Sequence, residues 1–181
     1  LAAIALAIRI ESRGGIFFRQ SRIGLGGQSF SIFKFRTMVR DAEEQKHRLA
    51  VLNKHARPGG DARMFKVPSD PRITRVGAYL RRYSLDELPQ LLNVLRGEMS
   101  LVGPRPLIPE EDVHVAEWGR RRLDLKPGIT GLWQTLGRSE IPFDEMVRLD
   151  YRYVTSWSLW NDLKLLCRTV PALVGKGKGA Y

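Results

Sequence analysis

One cysteine, Cys167, stands in 181 residues, so an intramolecular disulfide framework is excluded and a reducing compartment fits. With it come only three histidines, His47, His55 and His114, scattered along the chain, which leaves no zinc-cluster spacing. No Walker A loop is present: in Gly175-Lys-Gly-Lys-Gly179 no Ser or Thr follows a Gly-Lys pair, and the segment reads as a flexible tail. Gly24-Leu-Gly-Gly27 departs from the G-x-G-x-x-G pattern, and neither G-x-S-x-G nor Asp-x-Asp occurs. Asn-x-Ser/Thr is missing too. No run approaches the ~20 apolar residues of a complete spanning helix.

Acidic side chains are also in short supply. Nineteen Asp and Glu face thirty Lys and Arg, a net charge of +11, so the chain should seek anionic partners: nucleic acid, anionic lipid or a phosphorylated substrate. At 43% hydrophobic and 27% charged residues, one ordinary domain is expected rather than a disordered or low-complexity chain. Leu1 to Ile8 is wholly apolar, and Arg9, Arg13, Arg19 and Arg22 follow it. This order suits the end of a longer hydrophobic segment with arginines at the cytoplasmic membrane edge. An ordinary buried helix end is the alternative.

Further along, Ile16–Gln20 and Ser29–Phe35 read as strands of a hairpin across the Gly-rich turn. Phe30 and Ile32 share a face with each other but not with Phe33 and Phe35 unless a bulge intervenes. Asp41–Ala56 is helical in composition, and the Arg57–Asp61 segment breaks it as a mobile loop. Ile73, Val76, Leu80 and Tyr83 predict a helix over 73–82. Ser84-Leu-Asp-Glu87 matches a capping box that opens a second helix through Leu95, on which Asp86, Gln90 and Asn93 align. Residues 100–106 and 126–131 read as loop and turn, 109–123 as helix. Phe143, Met146, Val147, Tyr151 and Val154 form an apolar helical stripe with Asp150 inside it, so Asp150 should be functional or charge-paired. Leu159, Trp160, Leu163, Leu166, Cys167, Val170 and Leu173 form the apolar stripe of a final helix, bent or ended by Pro171. That face either lies in a membrane interface or packs on the domain's own core.

Among these features one carries chemistry. Asp86 and Glu87 open a helix, preceded by Arg81 and Arg82, with Arg105 further along in a Pro-Arg-Pro turn. A carboxylate can attack phosphorus when cations neutralise the phosphate and the helix start offers N–H groups. The flanking arginines suit a carboxyl of low pKa. Asp and Glu are equally favoured in a first helical turn by the dipole alone.

The motifs resemble a family. Lys34-Phe-Arg-Thr-Met38, Asp70-Pro-Arg-Ile-Thr74, Ser84-Leu-Asp-Glu-Leu-Pro-Gln90, Met99-Ser-Leu-Val-Gly-Pro-Arg-Pro106, Lys126-Pro-Gly-Ile-Thr-Gly-Leu-Trp-Gln134 and the closing Gly-Ala-Tyr181 occur in this order. Together they are similar to the catalytic domain of the bacterial sugar transferases, the monotopic phosphoglycosyl transferases. The resemblance implies transfer of a sugar-1-phosphate from a UDP-sugar to undecaprenyl phosphate with release of UMP, initiating surface glycan assembly. It implies Mg²⁺ held at Asp86, an Asp86–Glu87 dyad with Asp86 as nucleophile, and ping-pong kinetics. Phosphate or substrate contacts are implied at Arg105, and less directly at Arg81, Lys34, Arg138 and Asp150. It implies an α/β, helix-rich compact domain with a small antiparallel element and amphipathic interfacial helices. Residues 1–13 would be the returning end of a re-entrant membrane helix and 14–181 the catalytic domain, on the cytoplasmic face of the bacterial inner membrane. A piece of a longer protein is expected, with membrane lipid as a partner, no nucleic acid, and a homo-oligomer as one option. A membrane-attached nucleic-acid-binding domain or an inactive interaction module in polysaccharide assembly are the readings from other classes.

Overall fold

A computed structural model describes residues 1–56, 61, 63–137 and 141–174 of the chain. The apolar opening forms helix α1 (Ala2–Glu11). Its Ile8 is buried with Phe35 and Leu80, while Leu1, Leu6 and Ile10 on other faces are exposed. The Glu11 carboxylate then accepts from the backbone N–H groups of Arg75 and Val76, at 2.7 and 2.8 Å. An acidic side chain there meets two orphan donors at the start of helix α2 (Arg75–Arg82). Thr74 caps the same helix by accepting from Gly77 N–H, so α2 starts two residues later than the periodicity predicts.

Strands β1 (Phe17–Ile23) and β2 (Ser29–Phe35) pair antiparallel in unbroken register from Phe17↔Phe35 to Ile23↔Ser29. No bulge is needed, because both faces of β2 are covered: Ile32 is buried on one, Phe33 and Phe35 on the other. The edge of β2 away from β1 meets Asn93, which is 0% exposed. Asn93 Oδ1 accepts from Phe33 N–H at 3.1 Å, and its Nδ2 donates to Ser31 O and to Glu98.

Three expected helices differ. Residues 41–56 make successive turns ending in two short 3₁₀ segments, since among the described side chains of that stretch only Ala42 and Asn53 are buried and these anchor no helix. Residues 109–123 split into α4 (Pro109–Asp112) and a 3₁₀ run, Glu117–Asp124. The expected capped helix from Ser84 is instead a 3₁₀ turn, Leu85–Gln90, running into α3 (Leu91–Leu95). Ser84 has φ 52° and makes no side-chain cap, and Pro89, with no N–H to donate, suits the tighter winding.

The segments read as loop and turn hold a parallel pair instead, β3 (Ser100–Val102) and β4 (Gly128–Thr130), which gives the fold a second two-stranded sheet. Its glycines let backbones touch: a Cβ on Gly128 would lie 2.1 Å from Gly103 N, and one on Gly131 would lie 2.3 Å from Gly103 O. Helices α5 (Leu132–Leu136), α6 (Phe143–Thr155) and α7 (Leu159–Val174) complete the domain. Phe143, Met146 and Val147 of α6 fill a core with Leu107, Val115 and Trp133. Tyr153 reaches from α6 to Val102 O in β3 and to Asp162 in α7. Pro171 lies inside α7 without ending it. Among the described side chains of α7, Leu165, off the expected stripe, is the one buried, whereas Leu159 and Trp160 are 67% and 65% exposed and Leu163 and Cys167 are also exposed. The expected stripe is thus divided: Leu166 packs against the buried cluster of Val102, Tyr153 and Leu165, while Leu159, Trp160 and Leu163 stay exposed. No helix among the described residues is long and apolar enough to cross a membrane.

Candidate active site

The turn after α2 carries Asp86 into the protein. α2 lies close against the chain at Thr37, where a Cβ on Gly77 would sit 2.0 Å from Thr37 O. That approach brings Arg81 Nε within 2.9 Å of Thr37 Oγ1. The left-handed backbone at Ser84 then reverses the chain, and Asp86, Gln90 and Asn93 point inward together, as their spacing predicts. Asp86 is 9% exposed.

Asp86 and Glu87 line a cleft of about 430 Å³ with Arg22, Lys34, Thr37 and Arg81. Lys34 Nζ donates to Glu87 Oε1 at 2.6 Å. A second cleft, about 530 Å³, lies on the other side of the turn and shares Arg81, Ser84 and Glu87 with the first. Its wall is more apolar, with Leu88, Leu91, Leu101, Ile129 and Leu166, and Arg105 faces into it.

Burial pushes the Asp86 carboxyl above the ordinary carboxylate range. The Lys34 and Arg81 charges oppose this, and the Glu87 charge adds to it. The expectation of a low pKa from flanking arginines is thus reversed: desolvation of a nearly buried carboxylate outweighs cations that are themselves part-solvated.

Arg105 is held by a buried frame. Asp150 is 2% exposed and accepts from Arg122 Nε and Nη2, at 3.2 and 3.0 Å, and from the Arg105 backbone N–H at 3.4 Å. Arg122 Nη2 also donates to Arg105 O. The guanidinium of Arg105 lies 4.3 Å from the centre of the Trp133 ring, a cation–π arrangement. Asp150 is charge-paired, one of the two roles its place in an apolar stripe allowed. It lines neither cleft described above and meets Arg105 at that residue's backbone N–H.

The structure therefore brings Lys34, Arg81, Asp86, Glu87 and Arg105 to one turn and sets Asp150 behind Arg105. Arg138 lies outside the described residues, as do the Arg57–Gly60 part of the expected loop and the Gly175–Tyr181 tail. Sequence reasoning set Arg22 among the arginines of a membrane edge and gave no role to Thr37 or Trp133, although those two stand inside matching motifs; Arg22 instead lines the Asp86 cleft. Asp70 and Arg72 form a buried pair at 2.6 Å, and Arg72 also donates to Ala42 O, so that motif braces the 39–42 turn.

Comparison with known proteins gives a consistent result. A family model, Bacterial sugar transferase, matches residues 1–176. The chain is 46% identical over 180 residues to the galactosyl transferase CpsE of Streptococcus agalactiae serotype III (strain NEM316), covering 98% of this chain and 39% of that protein. It is 42% identical over 179 residues to the undecaprenyl-phosphate galactose phosphotransferase of Salmonella typhimurium, 98% of this chain and 37% of that one. Against the exopolysaccharide production protein ExoY of Rhizobium meliloti, 42% identity extends over 98% of this chain and 78% of the relative. The chain thus spans under two fifths of the length of the first two relatives. The match runs through the Asp86–Glu87 turn and both flanking clefts, and this chain belongs to the bacterial sugar transferase family.

Proposed function

We propose that the chain is a phosphoglycosyl transferase domain. It moves a sugar-1-phosphate from a UDP-sugar to undecaprenyl phosphate, releases UMP and so initiates exopolysaccharide or another surface glycan. The observation that carries this reading is the position of Asp86. It is a nearly buried carboxyl on a cation-lined cleft, at a turn that also borders a more apolar cleft. The relatives' names, an undecaprenyl-phosphate galactose phosphotransferase among them, agree with it.

In the first half-reaction an Asp86 carboxylate oxygen attacks the sugar-bearing phosphorus. A P–O bond forms, and the bond to the UMP oxygen breaks with its electron pair leaving on UMP. In the second, an oxygen of the lipid phosphate attacks the same phosphorus and Asp86 departs as a carboxylate. Each step displaces one oxyanion by another, so the protein's task is to neutralise and align phosphate oxygens. Lys34, Arg81 and Arg105 are placed for this. Glu87, already bound to Lys34, orients that cation or takes the proton of the incoming phosphate.

The described residues offer no cluster of three or more metal-ligating side chains. Asp86 nonetheless fits the sparse pattern of Mg²⁺, which takes one or two carboxylates and completes its shell with water and substrate phosphate oxygens. When bound there, Mg²⁺ supplies charge neutralisation to the diphosphate.

The experiment is nucleotide release in lipid discs with Mg²⁺, undecaprenyl phosphate and a panel of UDP-sugars, with the nucleotide identified by chromatography. Without the lipid phosphate, UMP should stop at about one equivalent per protein, the yield of the first half-reaction, and sustained UMP release is expected only when the lipid phosphate is present. Release of UDP instead would mean glycosyl transfer and overturn the mechanism.

Contact with the membrane on the cytoplasmic face is part of the proposal, supported by the exposed Leu159, Trp160 and Leu163 of α7 and Leu6 and Ile10 of α1. Replacing Trp160 and Leu163 with serine should weaken co-sedimentation with anionic vesicles by about tenfold or more, since each large apolar side chain contributes roughly 1.5–3 kcal/mol when fully buried. Their exposure means the melting temperature should hardly move.

A further inference from the structure

Between the two clefts, beneath Glu87, lies a third and smaller chamber of about 80 Å³. Arg22, Lys34, Glu87, Arg105 and Trp133 line it. It connects with both larger spaces through shared walls: Arg22, Lys34 and Glu87 on the Asp86 side, Arg105, Ile129 and Trp133 on the apolar side.

Three N–H donors on this chamber's lining residues are buried without an acceptor among the described residues: Arg22 Nε, Arg105 Nε and Trp133 Nε1. Native proteins rarely leave a buried donor unmatched, because each costs about 1–3 kcal/mol. Two of the three belong to guanidiniums whose charges repel each other, a repulsion that the Glu87, Glu110 and Glu111 carboxylates oppose at Arg22. The other donors of Arg22 are already committed, Nη1 to Pro106 O at 3.0 Å and Nη2 to Gln20 Oε1 at 2.7 Å. So Arg22 is anchored through both terminal nitrogens while its Nε–H is unmatched. The chamber holds several waters' worth of space, given that one water needs roughly 10–15 Å³, and is too small for a nucleotide. Paired like charges, spare donors and a small volume all call for the same complement, a compact anion rich in acceptors.

We propose that Arg22, Arg105 and Trp133 form an oxyanion-binding subsite for a phosphoryl group, with Arg22 as a substrate-binding residue of the transfer reaction. The inference rests on the phosphoglycosyl transferase reading for its ligand. The phosphoryl oxygens could come from the donor diphosphate or from the lipid phosphate monoester, since the chamber borders both clefts.

The test measures anion binding apart from turnover. Calorimetric titration of the protein with inorganic phosphate and pyrophosphate, in EDTA, should detect binding that Arg22→Gln weakens at least tenfold. Trp133→Phe keeps the ring under Arg105 but removes its donor, and should weaken binding several-fold with the fold intact by circular dichroism. This second variant keeps the test decisive if Arg22→Gln unfolds. Asp86→Asn should bind the same anions as the parent while losing turnover, which separates a failed subsite from a failed mechanism. In steady-state assays, a rise of tenfold or more in the Arg22→Gln KM for the UDP-sugar assigns the donor phosphate, and the same rise for undecaprenyl phosphate assigns the acceptor. Anion binding that is absent, or equal in parent, Arg22→Gln and Trp133→Phe, with both KM values unchanged, overturns the proposal.

Discussion

Asp86→Asn should abolish turnover and, at neutral pH without divalent cations, make the protein more stable. The first effect follows from the nucleophile: an amide neither attacks phosphorus nor leaves as an anion, and loss of a nucleophile typically costs at least ~10³-fold in kcat. The second follows from burial. An acid whose folded pKa lies above its unfolded one binds its proton more tightly when folded. Stability then falls as pH rises from the unfolded carboxyl's range through the raised folded value, and stays low above it. Asparagine has no charge to desolvate, so the variant should lack this decline. Parallel denaturant titrations of parent and variant in EDTA at acid and neutral pH check it. A gap that opens with rising pH is expected, and an equal or lower variant stability at neutral pH would contradict it.

Asp150→Ala should behave in the opposite way, although Asp150 is the more buried carboxyl and burial likewise pushes its pKa up. The difference lies in what is left behind. Removing Asp86 leaves Lys34 on Glu87 and Arg81 on Thr37, both in contact with an open cleft. Removing Asp150 leaves the Arg122 guanidinium, 1% exposed, without its nearest carboxylate and with Asp112 only at 3.7 Å. Breaking a buried pair on one side typically costs about 3–5 kcal/mol, which for a chain of this size is roughly 10 °C in melting temperature. The Arg105 backbone N–H loses its acceptor as well, so activity should fall further than the folded fraction explains. Asp150→Asn keeps an acceptor for that N–H and should recover part of the activity. Thermal melts and UMP release on the two variants, compared at a temperature where both are folded, make the measurement.

How much of this was legible in the sequence depended on the range of the forces involved. The hairpin, α2, α6 and α7 announce themselves through local periodicity, and Asp86, Gln90 and Asn93 point inward as their spacing demands even though the turn winds as 3₁₀ rather than α. The parallel pair did not show, because its partners lie 28 residues apart and each strand has three residues. Its signal was the glycines at 103, 128 and 131, read as turn residues but needed for backbone contact. The sign of the Asp86 shift was misread for a related reason: neighbouring arginines are visible in one dimension, whereas desolvation is a property of the packed molecule. Lys34 became a site residue through the family resemblance alone, whereas Arg105 already stood among the cations set beside Asp86 and Glu87. Trp133 stood in a matching motif with no role, which came only from its ring lying under the Arg105 guanidinium.

A two-stranded sheet is marginal alone, and an unprotected outer strand offers its backbone to any other extended chain. Here the Asn93 side chain occupies Phe33 N–H and Ser31 O on the outer side of β2. It mimics a third strand with a single amide, closing the edge to aggregation. That amide belongs to the helix that continues the Asp86 turn, three residues past Gln90. Edge protection and placement of the Asp86 turn are therefore one contact: a chain that slid onto β2 would first have to lift that turn, so the misassembled form would also displace the proposed nucleophile.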